Sequence, residues 1–349
     1  MRKTKMLALV LEEVGKLLVT WVQKPQVVPG SVLVRVKACA ICGSDLRIVN
    51  HGNPRVLPPT ILGHESSGVV EKVGEGVSKF KPGDRVALGA DVPCGKCSYC
   101  EAGIGNVCLT NYAMGYQFPG SFAEYVLLNP LVVEHGPVHH IPNNVSFDES
   151  ALAEPLACCL NALELCQVNI GETVVVIGAG PIGCMLMEVA RKMGAGNVIG
   201  VNRTRKREEI VKQVADVVIY TSEEDLVSRI FEETDGFGAD VVLTACSSPE
   251  AQIDALKIVR NRGRVNFFGG LPPGTPPTSI DTNIIHYKEI LLTGAHGSVP
   301  RHHRQALELI SKGIIEVKKY ISSTYPLSEA VEAFKKAREK TEMRIIIHP

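Results

Sequence analysis

The run Thr173–Ile177, followed at once by Gly178-Ala179-Gly180-Pro181-Ile182-Gly183, constrains this chain more than any other stretch. An unbroken series of Thr, Val and Ile reads as a strand buried on both faces, as in a parallel sheet. The hexapeptide has the spacing G-x-G-x-x-G and opens a helical stretch that runs through Met193. In that strand-turn-helix context each glycine has a task. Gly178 permits the tight turn, Gly180 lets the backbone approach a pyrophosphate, and Gly183 lets helix and strand pack closely. Pro181 and Ile182 begin the helix, whose free N–H groups would face the diphosphate.

Further strand-like segments follow at Asn197–Val201, Val217–Ile219, Asp240–Ala245 and Gly263–Gly269, each after a helix-like segment. Alternation of this kind predicts a doubly wound parallel sheet, a Rossmann domain that binds a dinucleotide. The second strand ends in Asn202-Arg203-Thr204-Arg205. An acidic residue there would accept bonds from the ribose hydroxyls of NAD. Asn202 carries no charge to repel a 2′-phosphate, and Arg203 and Arg205 could pair with one. The expectation leans to NADP. NAD stays open, because Asn202 can also bond a free ribose and both arginines could be solvated.

The chain has 349 residues, enough for two domains. Up to about residue 150 the pattern is of short strands, Val32–Ala38, Gly68–Val73 and Arg85–Leu88 among them, cut by turns such as Pro29-Gly30 and Lys81-Pro82-Gly83-Asp84. That predicts a barrel-like β unit. Met343–His348 is a late apolar strand that could rejoin it. The expected partition is a first domain over 1–153, the dinucleotide domain over 154–292 and a return over 293–349.

With 37 basic against 37 acidic residues, the chain lacks the excess expected of a nucleic-acid or anionic-membrane partner. The basic start Met1-Arg2-Lys3-Thr4-Lys5 is not followed by a long apolar stretch, so neither a secretory signal nor a membrane span is expected. The 11 cysteines are odd in number, and four crowd into Cys94–Cys108. That fits a metal site in a reducing, cytoplasmic setting better than disulfides.

Cys94, Cys97, Cys100 and Cys108 follow C-x2-C-x2-C-x7-C. Thiolates so spaced can wrap one tetrahedral zinc, and four protein ligands would make it structural. An iron–sulfur cluster or four unrelated cysteines are the other readings. A second set of ligand types is scattered: Cys42, His64 with Glu65, and Glu154. Three of them with one open position would suit a catalytic zinc, although each alone reads as a small buried thiol, a surface pair or a helix-start acid.

The surroundings of these residues resemble the zinc-containing medium-chain alcohol and polyol dehydrogenases. The resemblance rests on Cys42-Gly43-Ser44-Asp45, on Gly63-His64-Glu65 with Gly68, Gly74 and Val77, and on the four-cysteine lobe. Gly120-Ser121-Phe122-Ala123-Glu124-Tyr125 also carries it, with Ser121 in place of a glycine. It covers essentially the whole chain and is strongest to the sorbitol, galactitol-phosphate and threonine dehydrogenase branch, through Glu154-Pro155-Leu156. It implies a GroES-like β-barrel catalytic domain beside the Rossmann domain and two zinc ions per chain. Cys42, His64 and either Glu65 or Glu154 would hold the catalytic zinc, with Asp45 orienting His64. Ser44 would take the substrate proton. Substrates would be secondary alcohols of polyols, sugar alcohols or sugar acids, or the corresponding ketones. L-threonine dehydrogenase-like chemistry or a non-catalytic relative are the alternatives; a zinc-free quinone reductase should lack both cysteine sets.

Where many relatives have a relay histidine this chain has Arg47, which could attract an anionic group on the substrate, bind cofactor phosphate or simply be solvated. Phe267–Pro272 and Gly294–Ser298 resemble the nicotinamide-side loops, with His296 a pocket residue. Relatives of this kind are dimers or tetramers, and Glu289–Ala295 is a candidate pairing strand. His302 and His303 read as a solvated helix start, and Leu327–Arg338 as an amphipathic helix without chemistry.

Overall fold

A computed structural model describes residues 4–349; the Met1-Arg2-Lys3 part of the basic start lies outside the described residues. The chain divides into two compact units, Met1–Ala157 with Gly297–Pro349, and Cys158–His296. The crossings thus fall at 157/158 and 296/297, against 153/154 and 292/293 read from the sequence. The helix Ala153–Cys166 runs through the first crossing, so no turn marks it.

In the first unit a 7-stranded sheet has the order Val138–His140, Arg85–Leu88, Glu65–Val73, Val32–Ala40, Arg344–His348, Ile321–Pro326, with Tyr125–Leu128 also paired to Val32–Ala40. Lys5–Glu13 forms a second sheet with Lys16–Gln23 and Thr60–Ile61. The late strand does return to this unit, setting Ile346 opposite Ala40 and Ile347 opposite Cys39. The core joins Val34, Val36, Leu62, Val86 and Ile345 with Phe122, whose ring meets Phe334 edge-on at 5.3 Å. That edge-to-face geometry suits the ring quadrupoles.

The second unit is a 6-stranded sheet, every neighbouring pair parallel, in the order Val217–Tyr220, Asn197–Asn202, Thr173–Ile177, Ala239–Thr244, Val259–Phe267, Leu291–Gly294. Taken in chain order this is 3-2-1-4-5-6, the doubly wound arrangement. The chain therefore reverses direction of sheet growth at Thr173–Ile177, and the glycine turn leaves the carboxyl end of that strand. The fifth strand starts at Val259, before the predicted Gly263, because Val259 already pairs with Ala239 ahead of a bulge. No helix among the described residues is long and apolar enough to cross a membrane.

One expectation is overturned. His302 and His303 are 1% and 0% exposed. They lie on the stripe that continues through Ala306, Leu307 and Ile310 in the helix Pro300–Ser311, while Arg301 and Arg304 take the exposed side. Helical periodicity contained this, and the polarity of imidazole masked it. His303 Nδ1 meets His139 Nδ1 at 2.9 Å with the rings stacked.

Candidate metal and dinucleotide sites

The helix Gly43–His51 begins beside the end of the strand Val32–Ala40. Its start is fixed by Asp45, whose Oδ2 accepts from the Cys42 backbone N–H at 2.9 Å. The same carboxylate turns Oδ1 toward His64 Nδ1, 3.4 Å away. His64 precedes the strand Glu65–Val73, so the sheet places His64 and Glu65 next to the helix start. One ligand atom from each of Cys42, His64 and Glu65 can be chosen so that all lie within 4.8 Å of one another. Since Nδ1 faces Asp45, Nε2 is the imidazole nitrogen left for a metal; Ser44 Oγ is 3.3 Å from it.

The electrostatics ask for a cation. Glu65 is 0% exposed and neither of its carboxylate oxygens has a hydrogen bond of good geometry. Arg344 Nη1 stands 3.1 Å from Oε1, an ion-pair distance without hydrogen-bond alignment. Burial pushes Glu65 up to about 7, against the pull of Arg344 and with the push of Glu154. Burial likewise raises Glu154, in the first turn of Ala153–Cys166, to about 7. Burial works against a charged His64, yet Asp45 and Cys42 outweigh it and hold the imidazole well above its ordinary value. A thiol, an imidazole and two desolvated carboxylates make a donor set that fits zinc.

Of the residues singled out in the sequence, Cys42, Ser44, Asp45, His64 and Glu65 are brought together. Glu154 is close enough for its charge to act on Glu65 and Arg344. Arg47 is half-buried on the same helix. His296 ends the second unit, exposed, with its carbonyl accepting from Asn161. Two residues escaped the sequence reading. Arg344 is 3% exposed, and its presence as a lone charge in the apolar run Met343–His348 was the available signal. Tyr116 lies obliquely against His64, ring centroids 5.8 Å apart, and burial raises its phenol while His64 and Ser44 pull the other way; nothing in its sequence context marks it.

The four-cysteine lobe is equally compact. Cys94, Cys97, Cys100 and Cys108 bring their sulfurs within 4.8 Å of one another. Individual separations are 3.5 Å for Cys97–Cys100, 3.8 Å for Cys97–Cys108 and 3.9 Å for Cys94–Cys100. A tetrahedron with zinc–sulfur bonds of about 2.3 Å has edges of about 3.8 Å. None of the 11 cysteines is in a disulfide, so these contacts are not S–S bonds. Burial would raise the Cys108 thiol, but hydrogen bonds from Thr110 and from backbone N–H groups outweigh it and bring it down to about 5. Cys97 is lowered as well, whereas burial and Cys97 push Cys100 up to about 11, so two of these thiols favour the thiolate by themselves and Cys100 would need the metal's charge to lose its proton.

In the second unit the glycine turn has the geometry the motif requires. Gly178 sits at φ +108°, and a Cβ on Gly183 would lie 1.9 Å from the Gly178 carbonyl oxygen. The helix Pro181–Lys192 has no side-chain cap at Gly180, which leaves its first N–H groups available for an anion. Arg207 Nη1 stands beside this loop, 3.4 Å from where a Gly180 Cβ would be. Asn202 turns its amide to the carbonyls of Thr204 and Lys206. Arg205 is engaged by Glu223 at 2.7 Å and Glu208 at 3.0 Å and lies over the Tyr220 ring. Arg203 is exposed.

Residues 28–138 match the model of the alcohol dehydrogenase GroES-like domain, and residues 181–312 that of the zinc-binding dehydrogenases. D-arabitol-phosphate dehydrogenase of Enterococcus avium is 33% identical over 93% of this chain and 91% of its own length. Sorbitol dehydrogenase of Halalkalibacterium halodurans is 33% identical over 94% of each chain. L-threonine 3-dehydrogenase of Bacillus subtilis is 33% identical over 95% of this chain and 94% of its own. Among solved structures, a zinc-binding dehydrogenase fold from Sinorhizobium meliloti 1021, bound to NADP, superposes with a TM-score of 0.90 at 31% identity, covering 99% of this chain and 100% of that one. With its two domain types and both sulfur-bearing clusters formed, the chain belongs to the zinc-binding medium-chain alcohol and polyol dehydrogenases.

Proposed function

We propose that this dehydrogenase oxidises a secondary alcohol of a polyol, sugar alcohol or sugar acid, or reduces the corresponding ketone, with NADP or NAD. The observation that carries the reading is the convergence of Cys42, His64 and Glu65 within 4.8 Å, with Ser44 beside the imidazole. Cys42, His64 and Glu65 or Glu154 would hold a zinc ion. Zinc there would supply Lewis-acid polarisation of the substrate hydroxyl, and the nicotinamide of a cofactor whose diphosphate rests on the Gly178–Gly183 turn would accept the hydride.

The chain's own groups do the rest. Ser44, with Oγ 3.3 Å from His64 Nε2, takes the proton from the substrate. Asp45 keeps His64 in one tautomer and orientation. Gly178, Gly180, Pro181, Ile182 and Gly183 cradle the diphosphate. Asn202 and Arg203 favour NADP, whereas Arg205 would have to exchange Glu223 for a 2′-phosphate. Eleven cysteines without a disulfide suit a reducing, cytoplasmic compartment. The edge strand Leu291–Gly294, with Leu291 63% exposed, is the surface for pairing into a homodimer or tetramer.

The threonine dehydrogenase relative favours a second reading, oxidation of an amino alcohol such as L-threonine. One experiment separates the two: cofactor reduction on a panel of polyols, sugar acids, sugar phosphates and L-threonine, with NADP and NAD in parallel. Oxidation of L-threonine alone would replace the polyol reading, and no turnover on any of them by zinc-loaded protein would favour a non-catalytic relative. Ser44→Ala should lower kcat on the accepted substrate by 10²-fold or more, with little change in cofactor binding.

A further inference from the structure

We infer that Arg55 and Tyr116 form an anion-binding subsite beside the zinc centre, built to take the carboxylate or phosphate of a polyol derivative. The inference rests on the polyol reading above and narrows its substrate to an anionic one. Arg55 lies in the turn after the helix Gly43–His51. Its Nη2 donates to the Asn111 carbonyl and lies 3.4 Å from Gln117 Oε1, and its guanidinium carbon is 5.1 Å from the centre of the Tyr116 ring. All three partners are neutral. Among the described residues no carboxylate comes within ion-pair distance of Arg55, whereas Arg205, Arg229, Arg260, Arg264 and Arg344 each face one.

The geometry leaves Arg55 with both charge and donors to spend. Nη2 makes both side-chain bonds, and Nε and Nη1 meet no acceptor among the described residues. A forked contact to a carboxylate or phosphate uses Nη2 together with Nε or Nη1, so an anion would displace the long 3.4 Å contact of Nη2 to Gln117 Oε1 and pair it with a neighbouring N–H group. The backbone beneath is pinned, with Arg55 N–H on Asn53 Oδ1 at 2.8 Å and Val56 N–H on the Asn53 carbonyl at 2.9 Å, so little order has to be created on binding. Tyr116 links this cation to the centre, since its ring lies 5.8 Å from that of His64 on one side and 5.1 Å from the Arg55 guanidinium carbon on the other. The guanidinium carbon is therefore no farther than about 11 Å from the imidazole. Arg55 acts here as a specificity residue, and Tyr116 as its support.

Calorimetric titration of the purified protein with D-sorbitol, D-gluconate and D-sorbitol 6-phosphate tests this without relying on turnover. At least one of the two anions should bind about tenfold or more tightly than sorbitol, and comparing them says whether carboxylate or phosphate is preferred. In Arg55→Gln, with its melting temperature checked against the parent, that ratio should fall to about one. The idea is overturned if neither anion binds better than sorbitol, if the ratio survives in Arg55→Gln, or if the substitution weakens NADP instead, which would make Arg55 a cofactor contact. Absence of polyol oxidation by zinc-loaded wild type, with the anion preference intact, would sink the polyol reading and leave the subsite standing.

Discussion

Asp45 joins two jobs through one carboxylate: Oδ1 stands 3.4 Å from His64 Nδ1 while Oδ2 accepts from the Cys42 backbone N–H. The helix start that carries Cys42 and the imidazole that would share its metal are thereby locked to each other. Asp45→Asn keeps an oxygen for the helix start and loses the charge behind the histidine. Zinc affinity at the open site should drop 10–100-fold, with little change in melting temperature. Competition with a chromogenic chelator reads the affinity; an unchanged value would remove Asp45 from metal tuning.

Arg344 and Glu65 are a buried pair, 3% and 0% exposed, with the side chains 3.1 Å apart. Arg344→Met strips the cation from a desolvated carboxylate, and breaking a buried pair this way costs about 3–5 kcal/mol. Urea denaturation of metal-stripped protein should show a loss that grows toward that range between pH 7 and 9, since Glu65, already raised to about 7, takes up a proton below that pH, and adding Glu65→Gln should recover a large part. A double variant no more stable than Arg344→Met would show that Arg344 matters through its bond to the Ile41 carbonyl instead.

The sulfur separations in the Cys94–Cys108 lobe match a closed tetrahedral shell, so Cys108→Ser should lower zinc content by about one equivalent per chain. The lobe has few buried side chains, and Tyr99, Ile104 and Leu109 are exposed. Without metal it should become the first site of limited proteolysis. Zinc content by mass spectrometry, with the cut site mapped, decides it; two retained equivalents would break the assignment.

What the sequence revealed and what it hid follow from range. The strand Thr173–Ile177 and its glycine turn were legible because every residue needed is local. Cys94, Cys97, Cys100 and Cys108 were legible because their spacing is the site. Cys42, His64, Glu65 and Glu154 meet only through the sheet, and resemblance to a family supplied what spacing could not. Even then the choice between Glu65 and Glu154 stayed open, since both carboxylates are buried near the same point. Tyr116 comes beside His64, and Arg55 beside Tyr116, through loops whose course no periodicity encodes. His302 and His303 show the opposite failure: the helical stripe was present in the sequence, and residue polarity was given too much weight against it.

Those histidines set the last prediction. Burial holds His303 well below its ordinary value, with the charge of His139 adding to it; burial, Arg304 and His140 bring His139 down to about 4. Unfolded histidine titrates near about 6.5. Between the two values the unfolded chain binds protons that the folded chain refuses, so stability is full above about pH 6.5 and is lost as pH falls toward 4. At pH 5.5 each such histidine costs about 1.4 kcal/mol relative to pH 7.5. His303→Phe keeps an aromatic ring, removes a buried Nε2 that has no hydrogen-bond partner, and leaves one suppressed histidine where there were two, at the cost of the Nδ1 contact to His139. Its stability, measured by urea denaturation at pH 7.5, 6.5 and 5.5, should decline less steeply than that of the parent. Parallel declines would mean that the acid sensitivity arises elsewhere in the fold.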